Sequence, residues 1–266
     1  MKPQHERPSG GLAAKLCGFC PLPPARAGEP APKPRCAQRR FDKGATVTNC
    51  DASTRLVGFV MQGVLRLARN RSDGQQQIVG LLLPGDHFGE LFVERAPFDV
   101  ECASDVVLCT CDRLDFEAML AQNPDKEHEL LSSSVSELRA ARAWMSVLGL
   151  PTIRERVAAF LLLLMARQGD GRSGDGRPIR VRVPVSRGDM ANFIHTRPET
   201  LSRVIHALVR DGVLELENAQ QFIVPDRGAL VATTGGETFA QMPSSSDGHT
   251  KRIRLPETGE ILRVPK

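Results

Sequence analysis

Residues 185–217, VSRGDMANFIHTRPETLSRVIHALVRDGVLELE, decide how this chain folds. Met190, Ala191, Phe193 and Ile194 form one short apolar run, and Leu201, Val204, Ile205, Leu208 and Val209 form a second at helical spacing. His195-Thr196-Arg197-Pro198 lies between them. A proline is tolerated in the first turn of a helix, where its missing N–H is no loss, and it biases the preceding residue away from the helical region. The second helix is therefore expected to begin at about Pro198, after a tight turn.

On that second helix Glu199, Ser202 and Arg203 stand at i, i+3 and i+4, on one face near its N-terminus, while the aliphatic residues turn inward. These side chains suit base edges in a major groove: Arg bonds O6 and N7 of guanine, Glu accepts from the cytosine amine, and Ser serves either role. Val213, Leu214 and Leu216, then Phe222, Ile223 and Val224 after the polar Asn218-Ala219-Gln220-Gln221, read as a β-hairpin wing. Two short helices, a turn and a wing point to double-stranded DNA as a partner.

The region resembles the winged helix-turn-helix of the Crp/Fnr family of bacterial transcription regulators, and Glu199-Thr200-Leu201-Ser202-Arg203 is similar to the reading motif of its Fnr branch. The resemblance extends over roughly residues 38 to 230. It implies base contacts for Glu199, Ser202 and Arg203, phosphate contacts for Arg187 and Thr196, a homodimer on pseudo-palindromic TTGAT-type half-sites, and RNA polymerase as a further partner.

Upstream, Leu56–Met61, Val64–Leu67, Ile78–Leu83 and Val106–Cys111 are short apolar runs. Asp42-Lys43-Gly44, Gln62-Gly63, Ser72-Asp73-Gly74 and Pro84-Gly85-Asp86 supply the turn residues, and frequent turns between short strands indicate an antiparallel β-roll. Gly63, Gly74, Gly85 and Gly89 sit where the resemblance places turn glycines of a cyclic-nucleotide-binding roll. Gly89-Glu90-Leu91 resembles the start of that roll's phosphate cassette, but Glu101-Cys102-Ala103 is expected where cyclic-AMP binders carry Arg-Ser-Ala. A carboxylate there repels a cyclic phosphate, so no cyclic AMP is expected.

From Pro124 to Leu148 the chain runs without an internal break. Leu130, Leu131, Val135, Leu138, Ala141, Met145 and Leu148 form an apolar stripe at steps of three and four. The resemblance makes this the dimerisation helix, with Leu131, Val135, Leu138, Ala141 and Met145 at the interface. Gly149-Leu150-Pro151 ends it, Thr152–Met165 reads as a further helix, and Arg167–Pro178 reads as a solvated loop. The expected class is α+β: an N-terminal cyclic-nucleotide-binding-like β-roll (38–123), a long dimerisation helix (124–150) and a C-terminal winged helix-turn-helix (151–230). A Cys/Pro-rich segment (1–37) precedes them and a disordered tail (231–266) follows.

The chain carries seven cysteines in 266 residues. No signal peptide is visible, and the longest apolar run, Val157–Ala166, falls short of the ~18 residues a membrane span needs, so a cytoplasmic protein is expected. In that reducing compartment clustered thiols point to metal or redox chemistry before disulfides. Cys17-Gly18-Phe19-Cys20 is a C-x-x-C, and a Pro-rich stretch after it ends at Cys36. Thiolates two residues apart converge on one centre, and four hold a 4Fe-4S cluster.

The oxygen-sensing Fnr regulators are similar in having an N-terminal C-x-x-C, a third Cys soon after and a fourth on the strand before the dimer helix. That resemblance implies Cys17, Cys20, Cys36 and Cys109 as ligands. Cys111, on the same strand face, is an alternative to Cys109, Cys50 is an alternative to Cys36, and Cys102 is expected to be packing. The Cys20–Cys36 loop is roughly three times the family's spacing, which adds only about 1 kcal/mol of closure entropy.

A net charge of +4 and a pI near 8.8 suit a polyanionic partner. No nucleophile–base–orienter set, P-loop or H-E-x-x-H motif is seen, so no catalysis is expected. The alternatives are a regulator of this fold without a cofactor and a ligand-gated module on the same roll that does not bind DNA.

Overall fold

The computed structural model describes residues 36–53, 55–70, 76–168 and 178–236. Cys17, Cys20, Gly74 and most of the proposed tail lie outside the described residues. The N-terminal roll is two four-stranded antiparallel sheets. One runs in the order β1 (Ala37–Phe41), β8 (Val106–Asp112), β3 (Leu56–Gln62), β6 (His87–Phe88), and the other β2 (Thr46–Thr48), β7 (Asp99–Cys102), β4 (Leu65–Asn70), β5 (Gln76–Leu82). The turn residues do what their chemistry predicts: Gly63 and Gly89 have φ of +81° and +85°, and a Cβ would meet Asp105 O at 2.1 Å in the first and Leu56 O at 2.4 Å in the second.

Strand β8 is buried on both faces, which explains why it reads as a continuous apolar run. Val106 and Leu108 enter the layer between the sheets with Val60, Leu65, Leu82, Phe88, Val100 and Cys102. Cys109 and Cys111 point the other way, into a second layer with Val57, Phe59, Phe116, Met119, Leu120 and Leu130. That layer lies under α1 (Arg113–Ala121), whose N-terminus is capped by the Asp112 carboxylate accepting from the Leu114 and Asp115 N–H groups.

The long helix α2 (Pro124–Gly149) has two apolar faces. Leu130, Ala140, Trp144 and Val147 are buried within the chain, so Leu130 belongs to the roll's core rather than to the outer stripe. Leu131, Val135, Leu138 and Met145 are 43–70% exposed, and Ala141 is exposed with them. Helix α3 (Ile153–Gln168) is apolar nearly all round and sits in the centre of the C-terminal lobe. Around it stand α4 (Arg187–Phe193), α5 (Pro198–Arg210), α6 (Arg227–Ala232) and a three-stranded sheet of β10 (Glu215–Leu216), β11 (Gln221–Val224) and β9 (Ile179–Arg182), in that order.

Two expectations are corrected here. Arg167 is not in a solvated loop: it lies in the last turn of α3, and its guanidinium binds the Asp86 carboxylate of the roll. Residues 231–236 are not tail, because α6 and its closing turn continue the C-terminal lobe. Among the described residues no helix is long and apolar enough to cross a membrane.

The lobes share one apolar core, in which Ile78, Leu81 and Leu83 of the roll meet Trp144 and the interior of the C-terminal lobe. Trp144, Phe160 and Phe193, from α2, α3 and α4, pack with ring centroids 4.9–5.9 Å apart. Polar contacts fix the docking. β5 is a sheet edge, and Asn192 of α4 satisfies its open backbone: Oδ1 accepts from Ile78 N–H at 2.8 Å and Nδ2 donates to Gln76 O at 2.6 Å. Arg66 of β4 binds Asp189 of α4 as well as Glu101 of β7. Asn192→Ala strands both backbone groups at a half-buried edge and should cost about 1–3 kcal/mol in urea unfolding. An unchanged midpoint would show that the edge is satisfied by water instead.

Candidate functional site

The helix-turn-helix is built from local chemistry. Ser186 caps α4, and a capping box joins its hydroxyl to the Asp189 N–H and the Asp189 carboxylate back to the Ser186 N–H. The turn closes where Thr196 N–H reaches Ala191 O at 2.8 Å, with His195 in the left-handed region at φ +56°. Histidine is among the residues enriched there, and the compact reversal depends on it. Pro198 then opens α5, as its position in the sequence predicts.

Leu201, Ile205 and Leu208 bury one side of α5. Glu199 and Arg203 are exposed on the other, and Ser202 lies between them with its hydroxyl donating to Pro198 O at 2.9 Å, so its lone pairs face outward as acceptors. Thr196 is half-buried at the turn. Arg187, at the start of α4, is half-buried with its guanidinium carbon 4.8 Å from the centroid of the wing residue Phe222. Its Nη1 is buried without a hydrogen-bond partner, and burial lowers its pKa. The five side chains thus lie on one helix-turn-helix unit. Sequence reasoning missed Arg197, His206 and Arg210, which are exposed and continue the polar side of α5; the helical period that placed Arg203 also places His206 and Arg210.

The second candidate site is the group of thiols. Cys36 precedes β1, and its Sγ lies 2.8 Å from Sγ of Cys111 on β8, while Cys109 shares the same apolar layer. Cys50 is remote from them, its Sγ donating to Pro97 O at 3.4 Å. Cys102 lies in the core between the sheets, where burial, then repulsion from Glu101, Asp105 and Asp42, pushes its thiol up to about 11. Among the described residues no three Cys, His, Asp or Glu side chains converge to hold a metal ion.

The roll and α2 also form an open-sided cavity of about 280 Å³, lined by Leu67, Leu82, His87, Gly89, Glu90, Ala96, Pro97, Ser134 and Glu137 among others. Glu101 is not at this cavity. It pairs with Arg66 and accepts from Gln76 Nε2 at 2.9 Å, on the side of the sheet toward α4, so its expected place in the cassette is corrected. Ala96-Pro97 lines the cavity instead, its charged lining residues are Glu90 and Glu137, and neither Lys nor Arg is among them. Crowding by the protein, then repulsion from Asp86 and Glu90, pushes the Glu137 carboxyl up to about 7 against the pull of Arg167. One side of Glu137 still meets solvent.

His87 Nε2 is buried there without a partner, and burial holds the ring's pKa down to about 4. The unfolded chain takes up that proton near pH 6.5, so the stabilising effect of a neutral His87 is complete above that value and is lost as pH falls toward 4. Glu137 acts in the opposite sense, which makes a variant comparison necessary. Between pH 7.5 and pH 4.5 the parent should lose about 2–3 kcal/mol relative to His87→Gln in urea unfolding. Parallel pH profiles would show that His87 is not held neutral.

Comparisons with known proteins fit these two lobes. Residues 38–123 match the cyclic nucleotide-binding domain family, and residues 155–233 match the Crp-like helix-turn-helix domain family. The chain is 34% identical over 207 residues to the transcriptional activator protein FnrL of Cereibacter sphaeroides, covering 77% of this chain and 83% of that protein. It is 32% identical over 190 residues to the nitrogen fixation regulation protein FixK of Azorhizobium caulinodans, covering 71% and 76%. The solved structure of FixK2 from Bradyrhizobium japonicum superposes with a TM-score of 0.67 at 27% identity, over 76% of this chain and 99% of that one.

Proposed function

The chain belongs to the Crp/Fnr family of DNA-binding transcriptional regulators, and from that premise we propose that it is a cytoplasmic, Fnr-like activator whose DNA binding responds to oxygen or redox state. The observation that carries the DNA reading is the exposed Glu199–Arg203 face on a helix whose opposite side is buried. Arg203 and Glu199 read base edges of TTGAT-type half-sites, Ser202 accepts, and Arg187 and Thr196 meet phosphates. A homodimer reads the two half-sites. Its support is the outward stripe Leu131, Val135, Leu138 and Met145, spaced as a coiled-coil seam and uncovered in the single chain. RNA polymerase is the further partner of an activator.

The redox element of this proposal is a 4Fe-4S cluster held by Cys17, Cys20, Cys36 and Cys109 or Cys111. The fit rests on Cys36, Cys109 and Cys111 lying in one apolar layer; Cys17 and Cys20 lie outside the described residues. When bound, such a cluster supplies an oxygen-labile cross-link among these thiolates. The roll orients Cys109 and Cys111 by burying them in a layer with Leu130 of α2, and the same helix carries Trp144 into the core that includes α4 and α5. Control of genes for anaerobic or microaerobic metabolism is the role proposed.

The DNA reading is tested by Arg203→Ala, which should weaken a cognate duplex by about 1–3 kcal/mol in fluorescence anisotropy while a scrambled duplex is bound as before. Equal losses on both would reduce Arg203 to a phosphate contact. Cyclic AMP, for its part, should give no saturable heat in calorimetry at millimolar concentration, because the cavity's charged lining residues are two carboxylates, its imidazole is neutral and no Lys or Arg lines it to neutralise a phosphate. Micromolar binding would overturn that account of the cavity.

A further inference from the structure

We propose that Cys36 and Cys111 are a cross-strand dithiol that a hydroperoxide converts to a disulfide, covalently fastening the start of β1 to β8. Two observations place the pair. In the β1–β8 ladder Ala37 pairs with Thr110 and Gln38 with Cys109, so the next step outward sets Cys36 directly opposite Cys111. Directly opposed residues have Cβ atoms about 4.5–5.5 Å apart, at the edge of the ~3.5–4.5 Å range of a disulfide. The sulfurs themselves are 2.8 Å apart, so closing to the ~2.05 Å bond takes less than about 1 Å of movement. Thr110 Oγ1, donating to Ala37 O at 3.0 Å, pins the register between them.

Exposure divides the work between the two sulfurs. Cys36 is half-buried and open to a small oxidant, whereas Cys111 is 3% exposed. The Cys36 thiolate attacks one peroxide oxygen, the O–O bond breaks, and Cys36 sulfenic acid and hydroxide form. Cys111 Sγ then attacks the Cys36 sulfur, the S–O bond breaks, and water leaves with the Cys111 proton. In sum, two thiols and one hydrogen peroxide give one disulfide and two waters. The other described cysteines are poorly placed: Cys102 lies in a different core layer with a raised pKa, Cys50 lies against Pro97, and Cys109 stands opposite Gln38.

The bond joins residues 75 positions apart and closes a long loop. The inference stands apart from the cluster assignment, with which it shares Cys36 and, if Cys111 is a ligand, Cys111: a disulfide withdraws those thiolates from metal binding. Peroxide and loss of oxygen-sensitive iron would then act on the same sulfurs through different chemistry.

The test uses the full chain, freed of iron with a chelator, reduced, desalted and titrated with hydrogen peroxide. Alkylation should count two thiols lost per chain, and non-reducing digestion with mass spectrometry should find the Cys36 and Cys111 peptides linked, with dithiothreitol restoring both. Cys36→Ser and Cys111→Ser should each abolish that link, and Cys109→Ser should keep it. Retention of all thiols by the parent, or linkage of Cys36 to Cys109, Cys17 or Cys20, overturns the assignment, and neither result depends on a variant folding. The cluster reading is scored separately, by visible absorption after loading with iron and sulfide, so each can fail alone.

Discussion

Strand β8 has no face left for water, and much of the molecule is arranged by that constraint. Its backbone is shared between β1 and β3, its even-numbered side chains Val106 and Leu108 fill the layer between the sheets, and its odd-numbered Cys109 and Cys111 fill the layer under α1 and α2. A strand held this way has one register. Because β8 runs directly into α1, capped at Asp112, the same register fixes where the long helix leaves the roll. Cys111 on a strand that cannot slide is a fixed sulfur opposite Cys36.

From there the connection to DNA is a matter of packing. α2 carries Trp144 into the aromatic group with Phe160 and Phe193, and α4 is bound to the roll by Asn192 at the β5 edge and by Asp189 on Arg66. The exposed Glu199–Arg203 face of α5 is thereby held in a defined relation to the roll, and the stripe Leu131, Val135, Leu138 and Met145 on α2 stays exposed in the single chain. A signal shifts such a system only by favouring one arrangement over another.

Local patterns were readable in the sequence, and long-range pairings were not. Pro198 placed the start of α5, the turn glycines marked the roll, and steps of three and four along α2 separated its faces except at Leu130, which turns into the roll. The first strand of the wing, β9, was missed because it is four residues long and follows a polar stretch, and its pairing partner β11 is far away in sequence. Arg167 looked solvated because Asp86 is 81 positions away. Glu101 was misplaced because likeness to a cassette fixed its position before the ladder did; the pairing of Glu101 with Arg66 turns it toward α4. The cysteines were recognised as a group from composition, but the opposition of Cys36 and Cys111 follows only from the β1–β8 register.

Under the proposed function, sequence-specific DNA binding by this chain depends on its redox state. The direct measurement is fluorescence anisotropy of a palindromic TTGAT-type duplex and a scrambled duplex, titrated at one fixed salt concentration with iron-loaded protein prepared without air, before and after exposure to oxygen. The expected result is a preference for the palindrome that collapses on exposure while scrambled binding stays constant. An air-stable preference, or no preference in either state, would contradict it.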